Sequence, residues 1–245
     1  MSKRKLILSV LINGVLLSSL YVAGAVDVAP GSGNGVAIGT GSNAPKAENV
    51  AVGKGASISY SNGASAATGD VAIGNGAGIN NYVSQGGSIA IGKNAKVKYI
   101  EKHYGEGDGA GERILNPTTI VHIEDGGYME METTQIKGVD STVRDTKADL
   151  ADGATLVIKE KIMTHGHQTA ETNFTVELNG VDSSANVISR SVAKGESKQV
   201  FNSNICGNNQ CYGHTECDAI LMDNGHVKAV PSLEANNLDA SLVHE

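Results

Sequence analysis

The run CGNNQCYGHTEC, residues 206–217, gathers all three cysteines of the 245-residue chain around His214. Thiolates and imidazole are soft to borderline ligands, suited to zinc, copper(I) and iron–sulfur species. The order Cys206-x4-Cys211-x2-His214-x2-Cys217 has the spacing of neither a zinc finger nor a ferredoxin, so a closed four-ligand site is not what it specifies. On one continuous strand, Cys211 and Cys217 would share a face and His214 would take the other. Only a turn at Tyr212-Gly213 would bring them together. A second imidazole and a carboxylate stand at His244-Glu245, again on opposite faces if the backbone is extended. Cys206 follows Ile205 at the end of a β-run and reads as a small hydrophobe inside the fold, whereas Glu216 and Asp218 give Cys217 a polar setting. His165-Gly166-His167 could chelate a metal but reads as a surface turn. Met129, Met131, Met163 and Met222 are scattered and read as packing.

An odd number of cysteines in a chain this long argues against a disulfide framework. The net charge of −7, with its acidic excess after residue 100, makes a poor nucleic-acid binder. No P-loop, G-x-G-x-x-G, H-E-x-x-H or G-x-S-x-G is present, so nucleotide, zincin and serine-hydrolase chemistry lack support. At the other end, Lys3-Arg4-Lys5, the largely apolar stretch Leu6 to Val22 and Ala23-Gly24-Ala25 have the layout of a signal peptide over 1–25. Such a leader predicts export, and its removal leaves no stable membrane span. A glycine- and serine-rich linker occupies 26–35.

The elements that must position these ligands are short and repetitive. With 31 glycines, no tryptophan and 4% aromatics, the composition suits β-structure built on small and β-branched side chains. One phrase recurs as VAIG, VAVG, VAIG and IAIG, starting at Val36, Val50, Val71 and Ile89. Each run is too short to bury its apolar face alone, and stacking in a solenoid solves that. Over 31–97 the phrases resemble the head repeats of YadA-like trimeric autotransporter adhesins. That likeness implies a β-roll over 36–97 that trimerises and binds surfaces.

After a charged, glycine-rich junction at 98–111, β-branched runs alternate with turn signals: Thr118 to Ile123, Met129 to Ile136, Ala154 to Met163, Thr172 to Leu178, Asn186 to Val192, Lys198 to Cys206 and Thr215 to Met222. No stretch has helical periodicity. The fold class expected is all-β, a parallel β-solenoid, with a sandwich as the alternative.

Several phrases in this half resemble the core domain of the SufB/SufD family, scaffolds of iron–sulfur cluster assembly. They are GERILNPTT at 111–119, YMEMETTQIKGVDST at 128–142, THGHQTAETNF at 164–174, SRSVAKGESKQVF at 189–201, GNNQCYGHTECDAILMDN at 207–224 and ASLVHE at 240–245. The likeness spans about residues 103–245. It implies a right-handed parallel β-helix over 112–245 and pairing of cores into homo- or heterodimers. It also implies a transient iron–sulfur cluster, and as partners a SufC-like ABC ATPase and a cysteine desulfurase system. By this likeness Cys217 is the sulfur acceptor or cluster ligand and Glu245 an iron ligand, with His214, His244 and Cys211 as further candidates. The protein is then a binding and transfer module, not an enzyme, and its compartment is the cytoplasm, in tension with the leader. The ATPase-docking segment of the family is expected beyond Glu245.

Overall fold

The computed structural model describes residues 31–60, 69–81, 88–105 and 111–245. The leader at 1–25, residues 26–30 of the linker and residues 106–110 of the glycine-rich junction lie outside them. Every regular element described is a strand, and the strands pair in parallel. This is the expected all-β parallel solenoid.

Two sheets form its long walls. The first stacks Val36–Ile38, Val50–Val52, Val71–Ile73, Ser88–Ile91, Thr118–Ile123, Ser141–Leu150, Thr169–Leu178, Lys198–Gly207 and His226–Ala235, with Ile114–Leu115 beside Ser141. The second stacks Lys96–Tyr104, Tyr128–Lys137, Thr155–Thr164, Ser183–Gly195, Cys211–Asp223 and Ala240–His244. The four recurring phrases begin the first sheet, and Ser88–Ile91 pairs directly with Thr118–Ile123. Repeats and core therefore share one hydrogen-bonded ladder.

The glycine closing each phrase is required by that stacking. Gly39, Gly53 and Gly74 sit at φ of 122°, 134° and 117°. A Cβ on Gly53 would lie 2.3 Å from the Gly74 carbonyl oxygen, and one on Gly39 2.5 Å from that of Gly53. Only glycine accepts both the dihedral and the approach.

Alternation along each strand turns every second side chain inward, and parallel register stacks these into columns. Two columns of the second sheet are apolar, Val97–Met129–Leu156–Ala185 and Tyr99–Met131–Ile158–Val187, and they pack against Leu150, Phe174, Val176, Leu178 and Ile205 from the first. The next column is polar: Glu101, Thr133, Glu160, Ser189 and finally Cys217. Facing it, Arg144 of the first sheet pairs with Glu160 at 3.3 Å, both side chains essentially fully buried. Thr172 and Ser189 each donate to Glu160 at 2.9 Å. His103 lies between Arg144 (2.5 Å) and Glu101 (2.8 Å). The interior is thus split lengthwise, one side apolar and the other hydrogen-bonded.

Ala240–His244 pairs with Cys211 to Thr215. Further along Cys211–Asp223, Ile220, Leu221 and Met222 are exposed, and Ile220 stands in register with Val192 on the outer face.

Candidate functional site

Cys211–Asp223 is one unbroken strand, so Tyr212-Gly213 makes no turn and the cysteine–histidine run is not folded back on itself. Alternation sends Cys211, Gly213, Thr215 and Cys217 inward and His214, Glu216 and Asp218 outward. Gly213 is required there: a Cβ would lie 2.7 Å from Leu242 Cδ2 and 2.8 Å from Ile205 Cγ2. Six residues of extended chain separate Cys211 from Cys217 by about 20 Å. Cys211 is buried in the main apolar cluster, whereas Cys217, half-buried, packs at its edge and follows Ser189 in the polar column.

Cys206 corrects an expectation. Ile205 takes the inward position, and Cys206 lies on the outer face, buried between its register partners Glu177 and Glu234. Its thiol contacts Glu234 Oε2 at 3.6 Å and Asn204 Nδ2 at 3.5 Å.

Glu245 brackets Cys217 by its backbone. Its N–H donates to Thr215 O at 3.0 Å, and its carbonyl accepts from the Cys217 N–H at 3.3 Å. That pairing sets Glu245 opposite Glu216, on the outer face, so its carboxylate and the Cys217 thiol are on opposite sides of the sheet. The Glu245 carboxylate instead lies 3.8 Å from His214 Nε2. His214 Nδ1 contacts Asn186 Oδ1 at 2.9 Å, and Glu216 is held by Arg190 at 2.7 Å. His244, register partner of the inward Thr215, shares the face of Cys217. The His165-Gly166-His167 segment forms the surface turn expected of it, with His167 3.1 Å from Glu196. Among the described residues, no group of three or more His, Cys, Asp or Glu side chains is arranged to hold a metal ion.

Burial raises the thiol of Cys217, with the Glu160 charge adding to it, and burial raises that of Cys211. Cys206 is pushed up to about 11 by burial and by Glu177 and Glu234. All three are thiols at neutral pH, so Cys217 is not a free-standing low-pKa nucleophile; a cation must displace its proton. Each folded thiol binds its proton more tightly than the unfolded chain does. The resulting stabilisation is complete below the ordinary value of 9.0 and is lost as pH rises through the folded value, about 11 for Cys206. Alkylation of the folded chain by iodoacetamide, followed cysteine by cysteine by mass spectrometry, is expected to be slow at neutral pH. Its midpoint for Cys206 should be near pH 11. A midpoint at or below 9.0 for Cys206 would contradict the carboxylate enclosure.

The family model for the SUF system FeS cluster assembly SufBD core domain matches residues 49–245. The chain belongs to the SufBD core family. An iron-sulfur cluster assembly SufBD family protein of Methanocaldococcus jannaschii is 31% identical over 162 residues, 65% of this chain and 50% of the relative. One from Archaeoglobus fulgidus is 26% identical over 133 residues, 54% of this chain and 36% of the relative. This SufBD chain therefore spans about half the length, or less, of the curated relatives it matches. The family match begins at residue 49 and so takes in three of the four alanine–glycine phrases. The adhesin likeness finds no support in these comparisons.

Asn186, Ser189 and Glu160 surround the site and were not singled out by sequence reasoning. Their signal is the rung period of the SufBD solenoid: Asn186 stands 28 residues before its partner His214.

Proposed function

We propose that the chain works in iron–sulfur cluster assembly as a scaffold component, binding a nascent cluster and passing it to apo-proteins without turnover chemistry of its own. The observation that carries this reading is the placement of Cys217: it follows Glu160 and Ser189 in the polar column, is half-buried, and has Glu245 bonded to its backbone. In this role Cys217 accepts sulfur or ligates iron, and Glu245 is an exchangeable iron ligand. Sulfur transfer is an attack by the Cys217 thiolate on the terminal sulfur of a donor protein persulfide. A new S–S bond forms as the donor's breaks, and the donor cysteine leaves as thiolate. Because the raised thiol has to lose its proton, iron arriving beside it favours the step.

One chain presents Cys217 and Glu245 on opposite faces, so a second core, the same or related, completes the ligand set. A SufC-like ABC ATPase and a cysteine desulfurase system are the remaining partners in this reading, which places the protein in the cytoplasm. Anaerobic reconstitution with iron and sulfide tests it. The wild-type chain should develop sulfide-to-iron charge-transfer absorbance in the visible, and Cys217→Ser should lose it while Cys211→Ser keeps it. An unchanged spectrum in Cys217→Ser would remove the assignment.

A further inference from the structure

Cys217 has an acid on each side, Glu216 and Asp218, and alternation turns both to the outer face of the second sheet, opposite the thiol. Glu245 stands beside Glu216 on the neighbouring strand. Three carboxylates gathered on one face repel one another and offer hard oxygen ligands to a divalent cation. A single guanidinium changes that. Arg190 is the register partner of Asp218 and follows Ser189, the register partner of Cys217. Its Nη2 lies 2.7 Å from Glu216 Oε1, and its Nη1 pairs with Asp218 Oδ2. Two nitrogens of one planar fork thus hold the two acids that bracket Cys217, while Glu245 turns to His214. Arg190 and Asp218 are half or more exposed, and pairs of that kind add little to stability. The clamp has another use.

We infer that Arg190 is a specificity-determining residue: its guanidinium fills the point on which Glu216 and Asp218 converge, and so denies hard divalent cations a carboxylate site beside Cys217. Manganese(II) and magnesium are the cations such a site would take, since carboxylates with water suit them. Arginine fits the task because it stays charged and reaches both acids at once, whereas lysine is a point charge on a flexible stem. Lys161, the next cation in the column, stands two rungs, about 10 Å, from Asp218 and is no substitute. In the cluster-assembly reading, on which its biological meaning rests, Arg190 keeps iron from being trapped on the acids next to the thiol.

Manganese(II) titration of the full chain, followed by loss of the free-ion EPR signal with no iron or sulfide present, reads this directly. Arg190→Met should bind manganese(II) at least about 10-fold more tightly than the wild type. Arg190→Lys, which keeps the charge, should give back most of that gain. Arg190→Met/Glu216→Gln/Asp218→Asn, which removes the acids as well, should return to the wild-type value. In anaerobic reconstitution at limiting iron, Arg190→Met should develop less charge-transfer absorbance than the wild type, and the triple variant should recover it. Equal manganese(II) affinity in wild type and Arg190→Met would overturn the inference, as would a gain that survives in the triple variant. Because manganese(II) is measured on the unloaded chain, a wild type that forms no cluster defeats the assembly reading alone.

Discussion

Arg144→Leu is expected to destabilise the solenoid by about 3–5 kcal/mol, because it strips a fully buried carboxylate of its buried guanidinium partner. Glu160 would retain the hydroxyls of Thr172 and Ser189, which hydrogen-bond the carboxylate without neutralising it. Burial already holds the Glu160 carboxyl above its ordinary value of 4.5, against the opposing pull of Arg144. Without the guanidinium the shift grows. The folded state binds the proton more tightly than the unfolded chain, so the contribution is favourable below 4.5 and lost as pH rises through the folded value. The urea midpoint of Arg144→Leu should therefore fall between acidic and neutral pH more steeply than that of the wild type. Arg144→Leu/Glu160→Leu should recover most of the loss, since an apolar pair of similar volume replaces buried ions at little cost. It should also bring the Cys217 alkylation midpoint down, because the Glu160 charge helps raise that thiol. A single-variant cost below about 1 kcal/mol would mean that the pair is not held in a dry interior.

This buried pair also explains what the sequence concealed. Thr118–Ile123 was legible to the residue, and Tyr128–Lys137, Thr155–Thr164, Lys198–Gly207 and Cys211–Asp223 were recognised with shifted ends, because apolar β-branched residues alternate in them. Ser141–Leu150 was missed entirely. Its inward residues begin Thr142, Arg144, Thr146, and a strand whose core face is polar has no apolar alternation to read. Lys96–Tyr104, assigned to a charged junction, is a strand whose inward Glu101 and His103 belong to the same polar network. At the site, strand periodicity correctly separated His214 from the two flanking cysteines. It could not show that Cys206 faces outward, because burial there comes from Glu177 and Glu234 in neighbouring rungs. It also could not show that Glu245 is bonded to the backbone of Cys217 yet presents its carboxylate to the other side. Register between rungs is set by turn lengths, so the pairs that matter stand about 28 residues apart, beyond any local pattern.

Ile220→Glu is expected to abolish cluster formation while leaving every proposed ligand in place. Ile220, at 62% exposure, continues an outer apolar stripe in register with Val192 and, through it, Met163, a surface suited to packing against a second core. Pairing there covers Ile220 in both chains. At about 1.5–3 kcal/mol per buried aliphatic side chain, its loss weakens association by at least about 100-fold. Two glutamates brought together across the join would oppose it further. Stability of the single chain should hardly change, because Ile220 packs against solvent. Sedimentation of the reconstituted wild type should show a dimer and that of Ile220→Glu a monomer, with the visible charge-transfer band lost in parallel. The reason lies in the two faces of the sheet: one chain offers a thiol and the His244 imidazole inward and an imidazole–carboxylate pair outward, too few ligands on either side to hold a cluster that takes about four. A monomeric Ile220→Glu chain with the full chromophore would locate the cluster within a single core and end the role of that face.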